Sequence, residues 1–309
     1  MSVYIQQSGA CMPFCSSESW VVLNPIEQSI KKKIETQGTP LNKWNVSINY
    51  GIKTGLNDAF IVSGEVKDQL IAEDSKSAEI IRPILRGRDI KRYNCNYADL
   101  WVLYIPWHFP LENDDSITGP SEEAEKMFRE QYPAVYTHLL RHKEELSKRN
   151  VAETGIRYEW YALQRWGAKY RDDFSKPKIV WGNLCLSAQF AFVDSDCFIN
   201  APSPMIVPGN KYLLAILNSK IADWYIRQLG VTRNGGYFEY KPMFVEQLPV
   251  PLIDDTAQQP FIRLVDQVLS LKNSGGDTAE IENEINRLAY QLYGLEKNEV
   301  QYIESHESG

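Results

Sequence analysis

The sequence predicts an α/β fold, a mixed-sheet body followed by a C-terminal helical hairpin. Three observations carry this. Short runs with period-two alternation or continuous apolar character recur between residues 44 and 207, the mark of strands. Between them lie segments whose apolar residues return every three or four positions, the mark of amphipathic helices. Beyond Pro249, Pro251 and Pro260 only the helical period survives, in two segments joined by Asn273-Ser274-Gly275-Gly276.

Taken in order, Asn24-Pro25-Ile26-Glu27 opens a helix with an Asn cap, Pro at the first position and Glu at the third. Ile26, Ile30 and Ile34 repeat every four residues, Lys31–Lys33 read as its solvated face, and Gly38 closes it. Trp44, Val46, Ile48 and Tyr50 alternate with polar residues as a half-buried strand, and Ala59–Val62 reads as a second short strand after the loop Gly51–Asn57. Helical stretches are expected over Val66–Ala72 and Ala78–Leu85, a strand over Leu100–Ile105, then helices over Glu122–Glu130 and Ala134–Arg149. Strands follow at Lys178–Trp181, Phe190–Val193 and Pro204–Val207, and one long amphipathic helix at Tyr212–Gln228. Asn234-Gly235-Gly236 signals a turn. The second helix of the C-terminal hairpin opens with the capping-box pattern Asp277-Thr278-Ala279-Glu280.

Composition bounds the rest. A chain of 309 residues with 43% hydrophobic content buries a core, which excludes global disorder. No apolar run approaches the roughly 18–20 residues that span a bilayer, and no basic-then-apolar leader begins the chain. Five cysteines make no disulfide framework, so reduced cytoplasmic thiols are expected. The net charge of −7 argues at first against a polyanion as partner. Its distribution reverses that. The segment 261–309 holds four basic and nine acidic residues, leaving the other 260 at only −2. Within them Arg82, Arg86, Arg88, Lys91 and Arg92 oppose a single acid, Asp89, over eleven residues.

The motif survey is mostly negative. No two of the sixteen prolines are adjacent, so the Asn/Asp-Pro-Pro-Tyr/Phe signature of amino-group methyltransferases is absent. No G-x-G cofactor loop, P-loop, G-x-S-x-G elbow or H-E-x-x-H stands in the chain. Cys11 and Cys15 lack a second pair for zinc, and no Pro-Asp begins a Pro-Asp…Asp/Glu-x-Lys nuclease site. No catalytic residue and no metal ligand is expected in this chain.

What remains is suited to binding. Several guanidinium groups around Gly87 can make bidentate contacts to phosphate or to guanine edges, against the plainer alternative of a neutralised basic loop. Lys53, Thr54 and Asn57 sit on a glycine-bounded loop that can hold phosphate or read bases, or can simply be a hairpin. Arg233, beside Asn234-Gly235-Gly236, stands on an exposed turn, or on an ordinary connection. Tyr158, Trp160, Tyr161, Trp166 and Tyr170 could stack on a flipped or unpaired base, although such density more often forms core.

Two segments in this order, Gly51-Ile52-Lys53-Thr54-Gly55-Leu56-Asn57-Asp58-Ala59-Phe60-Ile61-Val62 and Ile84-Leu85-Arg86-Gly87-Arg88-Asp89-Ile90-Lys91-Arg92-Tyr93, resemble the TaqI-like C-terminal specificity domain. That domain belongs to adenine-specific DNA methyltransferases and fused type IIG restriction-modification enzymes. Lys176–Val180, Leu213–Lys220 and Phe244–Pro251 are similar to later blocks, so the resemblance covers Trp20 to Ile253.

The resemblance implies a target-recognition domain that grips double-stranded DNA beside a separate catalytic domain. The expected organisation is an N-terminal extension at 1–19, a target-recognition domain at 20–253 and a helical hairpin at 260–305. Lys53, Thr54, Asn57, Arg86, Arg88, Lys91, Arg92 and Arg233 are the expected DNA-facing residues. S-adenosylmethionine, and magnesium where cleavage accompanies methylation, would belong to catalytic domains missing from this chain. A methyltransferase domain in cis or in trans is the implied partner, the chain being part of a longer protein or one subunit of several. The rival reading is a protein-interaction subunit of a restriction or phage-defence complex with weak or no DNA contact. A complete enzyme with an unfamiliar site is a third, disfavoured by the motif survey.

Overall fold

The computed structural model describes residues 23–149, 157–194 and 196–305, so the expected N-terminal extension at 1–19 lies outside the described residues. The chain forms two compact units, one of residues 47–183 and 189–210, the other of residues 1–46, 184–188 and 211–309. The expected division at residues 253–260 does not coincide with either. The expected C-terminal helices are present, and they belong to the same unit as the N-terminal helix.

The unit around 47–210 is built on two four-stranded sheets. The first runs β6–β5–β8–β1, with β1 at Ser47–Tyr50, β5 at Lys178–Trp181, β6 at Phe190–Val193 and β8 at Pro204–Val207. All its pairings are antiparallel, in registers such as Phe190 opposite Trp181 and Ile206 opposite both Ile179 and Ile48. The second runs β7–β3–β4–β2, with β2 at Ile61–Ser63, β3 at Ile81–Leu85, β4 at Leu100–Leu103 and β7 at Phe198–Ile199. Here β7 and β3 are parallel and the other pairs antiparallel, so the sheet is mixed as expected.

Strands β5, β6 and β8 fall on the expected residues. The helix expected at Ala78–Leu85 is instead a 3₁₀ turn at Ser75–Glu79 followed by β3. The spacing of Ile80, Ile81, Ile84 and Leu85 suits either period, but branched side chains and Pro83 disfavour a helix interior. Pro83 is tolerated where pairing passes from β4, over Ile81–Pro83, to β7, over Ile84–Leu85. Likewise the expected strand Ala59–Val62 opens as a short helix, Asn57–Phe60, before β2. Helix Gly64–Glu73 forms over the expected Val66–Ala72, and helices Glu122–Gln131, Pro133–Leu140 and Lys143–Lys148 lie in the same unit, the long helix expected at 134–149 being interrupted at Arg141-His142. Phe60, Leu85, Val102, Phe128, Leu139, Tyr161, Phe174 and Ile199 are buried in one core, each such side chain contributing roughly 1.5–3 kcal/mol by burial.

In the other unit, helix Pro25–Gln37 carries the expected cap: Asn24 Oδ1 accepts from the Glu27 N–H at 2.9 Å and Glu27 accepts from the Asn24 N–H at 2.7 Å. The expected long helix at 212–228 is split into Lys211–Leu217 and Lys220–Leu229, because the Ser219 hydroxyl caps the second piece by accepting from the Ala222 N–H. Three helices, not two, close the chain: Asp255–Ser274, Ala279–Leu292 and Lys297–Ser305. Pro260 lies inside the first of these, five residues after its start. The expected Asp277–Glu280 capping box does not form; Asp277 accepts from the Ala279 N–H, and the Thr278 hydroxyl donates to Glu282. Lys33, read as solvated, donates to the buried carboxylate of Glu299 at 2.7 Å, joining the first helix to the last. Among the described residues no helix is long and apolar enough to cross a membrane.

Candidate nucleic-acid interface

The glycine-bounded loop leaves the edge strand β1 and is fastened at both ends. Gly51 packs so close to β7 that a Cβ would stand 2.1 Å from the Ile199 oxygen, while its N–H donates to the Ser203 oxygen at 2.8 Å. Lys53 pairs through its backbone with Arg165 in both directions, at 2.8 and 2.9 Å, which sets the two basic residues side by side. Gly55 follows in the left-handed region with φ +80°, and a Cβ there would lie 2.9 Å from Arg149 Cδ. Asn57 then emerges exposed on the first turn of its short helix.

Thr54 departs from expectation. It is 2% exposed, and its hydroxyl donates to Asn57 Oδ1 at 2.7 Å, so it orients Asn57 instead of presenting itself. Below it lies Arg149, a residue that sequence reasoning missed. Its guanidinium donates to the carbonyl oxygens of Thr54, Trp160 and Ala162 and rests over the Phe60 and Tyr158 rings. Burial lowers its pKa to about 10. Nothing in the local sequence marks this arginine, whose partners come from two distant segments.

The basic cluster is sorted by the fold into supporting and outward-facing members. Arg82 donates to the carbonyl oxygens of Ala78, Glu79 and Ile81 and so closes the preceding turn. Arg86, expected on the DNA-facing side, is half-buried and clasps Asp89 with two hydrogen bonds of 2.8 Å, and its backbone N–H adds a third at 3.0 Å. Burial would push the Asp89 carboxyl up, but these hydrogen bonds and the Arg86 charge outweigh it and hold the group below the ordinary range. The hydrogen bond to Asp89 raises Arg86 in turn.

The clasp sets the course of the chain beyond Asp89. Ile90–Lys91 and Asn94–Cys95 form a two-stranded ribbon whose tip is Arg92-Tyr93. Tyr93, in the left-handed region at φ 64°, is buried, and its N–H donates to the Phe190 oxygen at 2.9 Å, fastening the ribbon to β6. Arg92 lies over the Tyr93 ring at 5.3 Å. Arg88 and Lys91 are exposed and make no ion pair among the described residues. The cluster therefore presents two exposed cations and a partly covered third on a rigid base.

Arg233 belongs to the other unit, on the exposed turn between helix Lys220–Leu229 and the strand Phe238–Glu239. It pairs with Glu239, which Lys241 also reaches at 2.8 Å. The two cations, through their hydrogen bonds, hold Glu239 below the usual carboxylate range. Among the described residues no group of histidine, cysteine or carboxylates could hold a metal ion, and Cys95, Cys185 and Cys197 are buried and form no disulfide.

The family of this fold is decided by residues 82–250, which match the TaqI-like C-terminal specificity domain. The chain belongs to that family. The match begins at Arg82, the first residue of the basic cluster, and reaches the strand Pro249–Val250. The chain is 22% identical over 245 residues to the type II methyltransferase M.MjaIV of Methanocaldococcus jannaschii, covering 77% of this chain and 76% of that protein. It is 25% identical to M.BanIII of Aneurinibacillus aneurinilyticus and 19% identical to M.BstVI of Geobacillus stearothermophilus, covering 93% and 94% of this chain. Of those two type II methyltransferases the specificity-domain chain spans only about half the length, 48% and 47%. Among solved structures it resembles the type IIL restriction-modification enzyme MmeI, determined in complex with DNA, with TM-score 0.60 at 14% identity. That likeness covers 87% of this chain and 36% of MmeI.

Proposed function

We propose that this chain reads a specific sequence of double-stranded DNA on behalf of a cytoplasmic restriction-modification enzyme that methylates adenine. The methyl transfer, its S-adenosylmethionine and any magnesium-dependent cleavage belong to catalytic domains in cis or in trans. The observation that carries this reading is the ribbon after the Arg86–Asp89 clasp. Arg88 and Lys91 are exposed there and form no salt bridge among the described residues, on a support anchored to a buried sheet. An arginine so placed can hold phosphate or make a bidentate contact to guanine, worth roughly 1–3 kcal/mol of discrimination. Lys53, Asn57 and Arg92 add to the same role, with Arg233 as a contact from the other unit. Thr54 and Arg86 support it from beneath.

A selection from randomised duplexes followed by a salt series tests this. The expected result is an enriched sequence whose affinity falls steeply with salt, with Arg88→Ala and Lys91→Ala each reducing the slope by about one. Absence of enrichment, together with affinity indifferent to salt and to both substitutions, would overturn the reading.

A second role is favoured by one observation. Leu184, Leu186, Val231 and Tyr237 are all exposed on neighbouring segments of the unit that holds Arg233, more apolar surface than an isolated surface residue explains. A methyltransferase domain is the occupant this surface suits, so the protein-interaction reading survives as a complement to DNA recognition.

A further inference from the structure

Beside the Lys53–Arg165 bridge the unit carries a cavity of about 590 Å³ that the recognition of paired DNA does not use. Its wall includes Trp107, whose indole stacks on Tyr158 with ring centroids 4.7 Å apart and planes 13° from parallel. Trp107 is thereby the outer ring of a two-ring stack that ends at the cavity, and its Nε1 donates to the Leu163 oxygen at 2.8 Å, which fixes the ring. Trp166 lines the same space. At the rim stand two exposed cations, Arg165 and Lys169.

Two further groups address a ligand's edge. Asn49, on the edge strand β1, donates one amide hydrogen to Asp173 at 3.1 Å and keeps its carbonyl oxygen for an incoming donor. Glu112 is among the lining residues of this cavity and of a second one beside Tyr104 and Tyr132, and its buried carboxylate oxygen Oε2 has no hydrogen-bond partner among the described residues. A buried acceptor left unmatched is costly and is satisfied by a donor from a ligand. An aromatic platform, cationic rim and unmatched acceptors together describe a nucleotide whose base is unstacked and carries an exocyclic amine.

We infer that this cavity receives an unpaired nucleotide of bound DNA, a base other than the adenine that accepts the methyl group. The inference rests on the proposed DNA reading and names a second thing the chain does with DNA: it captures a displaced base. The base extends the Tyr158–Trp107 stack, its amine donates to Glu112, and its flanking phosphates meet Arg165 and Lys169. Adenine, cytosine and guanine bring an exocyclic amine to these acceptors, whereas thymine brings only its ring N3–H.

Fluorescence anisotropy with a fully paired duplex and with duplexes carrying one bulged A, C or T tests this. Bulged A or C should bind roughly tenfold tighter than the paired duplex, and bulged T less so. Trp107→Leu should abolish that advantage while leaving paired-duplex affinity unchanged, and Glu112→Gln should narrow the gap between A or C and T. Lys169→Ala, on an exposed turn, should weaken the bulge preference without touching the core, so the test survives a folding defect in the Trp107 variant. A paired duplex that binds with no bulge advantage, or an advantage indifferent to Trp107 and Lys169, would overturn the pocket and leave sequence recognition standing. Bulge-dependent binding with no binding of paired duplex would do the reverse. Binding of neither overturns both.

Discussion

The Arg86 guanidinium grips the Asp89 carboxylate through two 2.8 Å hydrogen bonds across Gly87-Arg88, so a cation in the basic cluster serves the backbone. Asp89 is 8% exposed at its side chain and would otherwise lose both guanidinium hydrogen bonds while still buried. Removing Arg86 should therefore act on stability before it acts on ligand. Arg86→Ala is expected to destabilise the fold by about 1–3 kcal/mol, the cost of an unmatched buried group. Arg88→Ala, one turn away and exposed, should stay within about 0.5 kcal/mol of the parent. Urea unfolding of the two variants separates them, and equal losses would refute the division of labour.

Asp89 also gives the clasp an acid limit. Its carboxyl is lowered in the folded protein from the ordinary 3.8, so its contribution is complete above that value and is lost as pH falls through the folded value. Parent and Asp89→Asn should differ in melting temperature at pH 7 and converge as the pH is taken below about 4. A difference that persists unchanged into that range would show that charge at Asp89 is not the cause.

At Gly55 a side chain faces two obstacles, the positive φ of 80° and the Arg149 side chain 2.9 Å from any Cβ. Gly55→Ala should cost about 1–2 kcal/mol through the left-handed backbone alone. Because the loop must also retreat from Arg149, amide exchange should quicken at Lys53–Asn57 and not in β5 or β8. Uniform quickening across the sheet would point to global destabilisation instead.

Lys33 and Lys31 lie two residues apart on one helix and should behave differently. Lys33 is the cation of buried Glu299, also held by Ser29 at 2.6 Å, whereas Lys31 makes only an i,i+4 pair with Glu35 at 3.8 Å. Lys33→Met is expected to lose about 1–3 kcal/mol and Lys31→Met less than about 0.5 kcal/mol, read from denaturant midpoints. Equal small losses would make the contact between first and last helices incidental.

Local chemistry was legible in the sequence wherever it decided the outcome locally. Asn24, Pro25 and Glu27 spell a helix start because cap, ring and carboxylate act within one turn. Lys178–Trp181 and Pro204–Val207 read as strands because branched and aromatic residues there have no competing period. Ile81–Leu85 was not legible, since its spacing fits both periods and its partners, Leu100–Leu103 and Phe198–Ile199, lie elsewhere in the chain. In the site, exposed Arg88 and Lys91 follow from a charge count. That Arg86 and Thr54 turn inward does not, because each answers to a neighbour, Asp89 or Asn57, whose position only the folded loop defines. Arg149 and the Trp107–Tyr158 stack depend wholly on tertiary convergence.

The chain's route between the two units has a practical side. The unit with the Arg88–Lys91 ribbon comprises 47–183 and 189–210, interrupted by the five residues 184–188 that belong to the other unit. Those residues include Leu184–Cys185, which pair with Phe238–Glu239. Grafting this unit onto a relative to change the sequence that is read cannot be done with one continuous cassette and two junctions. A working chimera needs four crossovers, with the short 184–188 stretch taken from the recipient so that its ribbon to Phe238–Glu239 is kept.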